Sequence, residues 1–214
     1  MIYYEVIAGS RSYGLELPES DVDRCRVADD WQMTMEGREN LIQVTRQEFL
    51  DRVFGRRDNA YYLQWLYPAR VCSENAVSRW LLEHREAITR AQAPRVWQTL
   101  TAHAQRLEQF AGQLYRQYPK RLAYAALFYH IAARFGEGEP FAQAHRPEET
   151  LRSVLLGMRR GEVPLEEGLA ECARQKARAF AARPGCPEGD QAFLDRAETE
   201  LRALLGLENE QEGL

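Results

Sequence analysis

The chain has 214 residues, 45% hydrophobic and 28% charged, a balance that excludes intrinsic disorder and fibrous low-complexity architectures. No stretch approaches the ~18 consecutive apolar residues of a membrane span. The net charge of −4 argues against a general nucleic-acid coat protein but leaves a local basic face open. In chain order, residues 2–8 (IYYEVIA) are β-branched and aromatic and read as a buried strand ending at Gly9. They carry no basic n-region and no small-residue cleavage site, so a secretory signal is not expected. Residues 21–27 (DVDRCRV) alternate apolar with charged and read as a strand with one wet face, and 40–45 (NLIQVT) as a third strand. Thr45 and Glu48 form a capping-box signature ahead of the helix RQEFLDRVFG. Asp58 or Asn59 opens a further helix ending near Tyr67-Pro68, and a short apolar piece, ARVC, follows. From about residue 75 the pattern is helical: 75–91, 95–117, 120–135, 148–159, 165–183 and 190–205, with Pro94, Pro119, Pro140, Pro147, Pro164 and Pro184 at the edges. The expectation is an α+β chain, a small mixed-sheet core over 1–93 and an all-helical region over 94–214. The four cysteines lie far apart without a C-x-x-C pair, which points to reduced thiols, a cytoplasmic setting and no structural zinc.

The segment with chemical content is Gly9-Ser10-Arg11-Ser12-Tyr13-Gly14 followed by Glu19-Ser20-Asp21-Val22-Asp23. A strand running through Gly-Ser into a helical turn offers backbone N–H groups to an anion, glycine permits close approach, and the Ser10 hydroxyl adds a donor. Asp21 and Asp23, two apart on a strand, share a face with about 6–7 Å between them along the backbone. Two carboxylates converging there suit Mg²⁺ or Mn²⁺, hard cations that bridge phosphate oxygens. A phosphate cradle facing a metal pair is the apparatus of phosphoryl or nucleotidyl transfer.

This combination resembles the signature of the nucleotidyltransferase superfamily typified by DNA polymerase β. GSRSYG…ESDVDR is especially similar to a bacterial and phage branch of predicted nucleotidyltransferases, in which an arginine (here Arg11) follows the Gly-Ser. Asp58 to Pro68 resembles that branch's N-P-x-x-L-E-W-L segment, and Met158-Arg159-Arg160-Gly161-Glu162 its Arg-Gly-Glu motif. The resemblance implies a mixed-sheet core holding an NTP, with Gly9, Ser10 and Arg11 at the phosphates and Asp21 and Asp23 on Mg²⁺. An acceptor (RNA, protein or small molecule) would attack the α-phosphorus and expel pyrophosphate. The family's third carboxylate comes from a later strand, which here should be NLIQV. That strand offers Asn40 and Gln43 and no acid, and Glu36 and Glu39 upstream are the candidates if the strand is shifted. The alternative is a catalytically weakened nucleotide-binding module, regulatory or antitoxin-like, working with a partner protein.

Residues 95–136 hold six basic residues against Glu108 alone; Lys120 and Arg121 are the candidate substrate contacts, the others reading as solvated helix faces. His130, in an apolar run, reads as a packed core histidine, and His84, His103 and His145 show no ligand spacing. Cys25, beside Asp23, reads as a small packed residue.

Overall fold

β1 (Ile2–Ile7) alternates its side chains strictly. Tyr4 and Val6 are buried, whereas Glu5 points to the other face and meets Arg24 and Arg26. β1 pairs antiparallel with β2 (Val22–Ala28), placing Val6 beside Cys25 and Ile7 beside Arg24. β3 (Gln32–Glu36) and β4 (Glu39–Thr45) form a hairpin closed by a two-residue turn at Gly37, whose φ of +61° is one that glycine tolerates. β4 then runs parallel to β2, setting Asp23 opposite Asn40 and Val27 opposite Val44. With β5 (Arg70–Val71) on the far side of β1, the mixed sheet has the order β3-β4-β2-β1-β5.

Thr45 caps α1 (Arg46–Val53) as expected, its hydroxyl accepting from the Glu48 N–H at 3.1 Å. α1 buries Phe49, Leu50 and Val53, and Phe49 packs between Tyr4 and Trp65. α2 (Leu63–Leu66) follows, then α3 (Ala76–Ala91), which opens with a reciprocal capping box between Asn75 and Ser78. The helical remainder comprises α4 (Ala93–Leu114), α5 (Pro119–Gly136), α6 (Phe141–Ala144), α7 (Glu149–Arg160), α8 (Leu165–Ala182) and α9 (Gln191–Leu204). This computed structural model describes residues 1–55, 62–114 and 119–207, the side chains of 112–114 and 184 excepted. The expected start of a helix at Asp58 or Asn59 lies outside the described residues.

The chain is α+β and divides into two compact units. The first contains Met1–Ser12, Pro18–Gln92 and the chain from Asp190 onward; the second contains Tyr13–Leu17 and Ala93–Gly189. The boundary after Gln92 falls beside the one read from sequence, but two segments depart from the 1–93 and 94–214 division. α9 returns to the first unit, burying Leu194, Ala197 and Leu201 as it packs on α3. The Asp190 N–H donates to the Ala91 carbonyl, Trp80 Nε1 to Glu200, and Arg46 to the Leu205 carbonyl, which fixes that return. Residues 13–17 belong to the second unit: Tyr13 stands edge-on to Tyr124 and Phe128, and Arg152 Nε donates to the Gly14 carbonyl at 2.7 Å.

In the second unit α5 is buried on nearly every side, between α4, α7 and α8. Two of its buried polar side chains are tied to neighbouring helices: Tyr129 Oη donates to Glu108, which also holds Lys176, and His130 Nδ1 bonds Gln175. His130 is thus a packed histidine, and burial holds it below the usual imidazole range. Among the described residues, no helix is long and apolar enough to cross a membrane.

Candidate functional site

β1 delivers the chain through buried Ala8 into a 3₁₀ turn, Gly9–Tyr13, at the point where β2 carries Asp23. The Ala8 N–H donates to the Asp23 carbonyl at 2.8 Å, locking the turn's entry onto β2. Gly9 then takes φ +68° with its Cα against the Asp23 side chain. A Cβ there would lie 1.8 Å from Asp23 Oδ2, so the carboxylate occupies the space that any other residue's side chain would need. Both requirements, left-handed backbone and absent Cβ, fall on one residue.

The other Asp23 oxygen is held from β4. Asn40 Nδ2 donates to Asp23 Oδ1 at 3.0 Å, as their in-register pairing allows. Asp21 stands exposed just before β2, two residues from Asp23. Cys25, next on the same face, is buried; burial pushes its thiol up to about 12 and the Asp23 charge adds to the effect, so it is no thiolate nucleophile.

Behind the turn, α2 supplies Gln64, buried, whose Oε1 accepts the Gly9 N–H at 3.0 Å. This corrects the open cradle expected from sequence. The first N–H of the turn is already used, so an anion must be met by later turn amides and hydroxyls. Ser10 and Ser12 are buried and Arg11 half-buried, and among the described residues Ser12 Oγ and Arg11 Nε have no hydrogen-bond partner. Gln64 has no place in the sequence-derived site. Its signal was its position, L-Q-W-L, where the resembling branch carries L-E-W-L.

Neither candidate third acid reaches Asp23. Glu39 pairs with Val22 and Glu36 pairs with Glu39, so both lie on the opposite sheet face. There, with Arg24 and Arg26, they line a shallow cavity of about 250 Å³. Gln43 is on that face too, its amide donating to Asp30 Oδ1 at 2.8 Å. The residue beside Asp23 on β4 is Asn40, an amide. Among the described residues no group of three His, Cys, Asp or Glu side chains converges to hold a metal. On the back face burial pushes the Glu5 carboxyl up, but hydrogen bonds from Arg26 and Arg24, each 2.6 Å, outweigh it and hold the group below the usual range.

Lys120 and Arg121 belong to the second unit, where Lys120 lies 5.8 Å from the Tyr124 ring centre and Arg121 5.6 Å from that of Phe110. The Arg-Gly-Glu segment ends α7 there. Gly161, at φ +72°, terminates the helix, the Glu162 N–H returns to the Gly157 carbonyl, and Arg160 pairs with Glu162 at 2.7 Å. Comparison with protein-family models, with curated proteins and with solved structures finds no match.

Proposed function

We propose that this chain is a nucleotidyltransferase of the DNA polymerase β type, acting in the cytoplasm, that binds an NTP with Mg²⁺ or Mn²⁺ and moves its NMP to an RNA, protein or small-molecule acceptor. The observation that carries the reading is the Gly9–Asp23 contact. A backbone turn is pressed against a carboxylate at a strand end, as a triphosphate shared between turn amides and a cation requires. The donor set fits a cation that draws its remaining ligands from phosphate and water: Asp21 and Asp23 would hold it, and it would neutralise the triphosphate charge. The chain's own residues bind and orient. Ser10 and the turn amides beyond Gly9 would hold the outer phosphates, and Asn40 and Gln64 fix Asp23 and the turn. An acceptor oxygen would bond to the α-phosphorus as the bond to the β-phosphate oxygen breaks, releasing pyrophosphate. The four free cysteines agree with a reducing compartment.

Asn40 favours a second reading, an NTP-binding regulatory module with little turnover. An amide at the third position adds no charge for a second cation and takes no proton from an acceptor. The test is calorimetric titration with each NTP and Mg²⁺, alongside pyrophosphate release with Mg²⁺ and Mn²⁺. Asp21→Asn and Asp23→Asn should each abolish metal-dependent binding; unchanged binding in both overturns the site. Binding without pyrophosphate from any NTP selects the second reading.

A further inference from the structure

We propose that two copies of this chain pair through the open edge of β3, joining their sheets across a two-fold axis at Thr34. β5, at the other edge, is two residues long, a short edge of the kind that resists pairing. β3 is five residues long, with no proline, lysine or bulge, and its side chains are exposed except for half-buried Thr34. Met33 and Met35 are 51% and 71% exposed on one face, and Trp31, preceding the strand, is 58% exposed. Among the described residues no strand pairs with this edge, and an exposed edge that carries two methionines is a template for another strand.

The sequence of the edge says which strand. In the β3–β4 ladder the two-residue turn closes on Glu36–Glu39, so Gln32, Thr34 and Glu36 direct their backbone groups to β4. The N–H and C=O of Met33 and Met35 therefore face outward. A second β3 laid antiparallel about Thr34 sets Met33 against Met35 of the other copy, and these two residues exchange the outward-facing bonds. On the side-chain level every pair is then complementary. Methionine meets methionine on one face. Gln32 meets Glu36, amide to carboxylate, on the other. Beyond them, Trp31 falls opposite Gly37, and Asp30 opposite Arg38, an acid against a base. Moving the axis to Met33 would instead set Glu36 against Asp30, two acids, and moving it to Met35 would set Met33 against Gly37, so charge and the methionine pairing together favour the Thr34 register. A closed isologous dimer follows, since the same edge is used by both copies.

The methionine face is also the face of Asp23 and Asn40, because Met35 pairs with Asn40 and Asn40 with Asp23. The second copy would thus extend the sheet beside the candidate site, although the pairing stands independently of the nucleotide reading.

Light scattering on the full chain across a concentration series tests it. The expected mass is twice 24.7 kDa at high concentration. Met35→Pro removes an outward N–H without touching the β4 ladder, and Met33→Lys places charge on the edge; each should return the mass to that of the monomer with unchanged circular dichroism. A chain that is monomeric at every concentration overturns the proposal, as does a dimer that both variants leave intact. Thr34→Cys gives an independent readout. Thr34 faces its own copy as a non-hydrogen-bonded pair, with Cα atoms about 4.5 Å apart, within reach of a disulfide. Oxidation should link that variant into a covalent dimer well beyond the parent background, whereas Gln32→Cys should stay unlinked; equal linking of the two overturns the register.

Discussion

Replacing Gly9 by alanine should be the most informative single change in the first unit. Two costs combine. At φ +68° a non-glycine residue is strained by about 1–2 kcal/mol. The new Cβ would also lie 1.8 Å from Asp23 Oδ2, so the carboxylate must swing away and lose its bond from Asn40, worth about 1.5–3 kcal/mol for a charged acceptor. The sum is about 2.5–5 kcal/mol. Gly37→Ala is the control: φ is +61°, but nothing lies within 4 Å of its added Cβ, so only the backbone cost of about 1–2 kcal/mol applies. Equilibrium urea unfolding of both variants measures the difference. In the double variant Gly9→Ala/Asp23→Ala the carboxylate clash is gone and only the 3.0 Å approach to the Cβ at 23 remains, so the pair should be less destabilised than the sum of the singles. The same Gly9→Ala protein should lose Mg²⁺-dependent NTP binding. If Gly9→Ala costs no more than Gly37→Ala, the close contact is not what holds this turn, and the binding argument built on it fails.

Gln64→Leu should destabilise by about 1–3 kcal/mol, because it leaves the part-buried Gly9 N–H without its acceptor; a variant as stable as the parent would show that the turn does not depend on α2. Glu5→Gln should flatten the acid limb of the stability profile. The folded Glu5 carboxyl lies below its unfolded value, so its contribution is present above the unfolded pKa and disappears as pH falls through the folded one; parallel profiles for parent and variant below about pH 4.3 would contradict this. Asn40→Asp should tighten the metal site and raise pyrophosphate release, whereas Gln43→Glu, on the back face near Arg26 and Asp30, should change neither; equal effects of the two would refute the face assignment.

The legible parts of this fold are those with strong local patterning. β1 follows from its run of β-branched and aromatic residues, β2 from period-2 alternation, and the helix ends from Thr45 as a cap and from prolines at helix edges. β3 escaped because QMTME is exposed on nearly every residue and has no buried face to give it a period. The return of α9 to α3 escaped because helix–helix partnership at more than a hundred residues' separation leaves no local trace. Gln64 escaped as a site residue because its contact is with a backbone N–H.

The third-acid question shows the physical limit most clearly. In N-L-I-Q-V apolar residues fall on both parities, Leu41 on one and Ile42 and Val44 on the other, so alternation alone does not say which side is inward. The sheet decides through Val44. It is completely buried and lies beside buried Val27, so its parity is the core parity. Ile42 and Asn40 follow it by period two, and Asn40 therefore arrives at Asp23 while Glu39, one residue away, is forced to the back face with Arg24. A slip that brought Glu39 to Asp23 would take Val44 from its place beside Val27 and set Gln43 there, where its buried amide loses its bonds to Asp30 at a cost of about 1–3 kcal/mol. The packing of one valine, several residues from the site, thus fixes an amide and not an acid beside Asp23. An acid at position 40 is accordingly the β4 substitution that would set a second carboxylate beside Asp23 without disturbing the core that positions it.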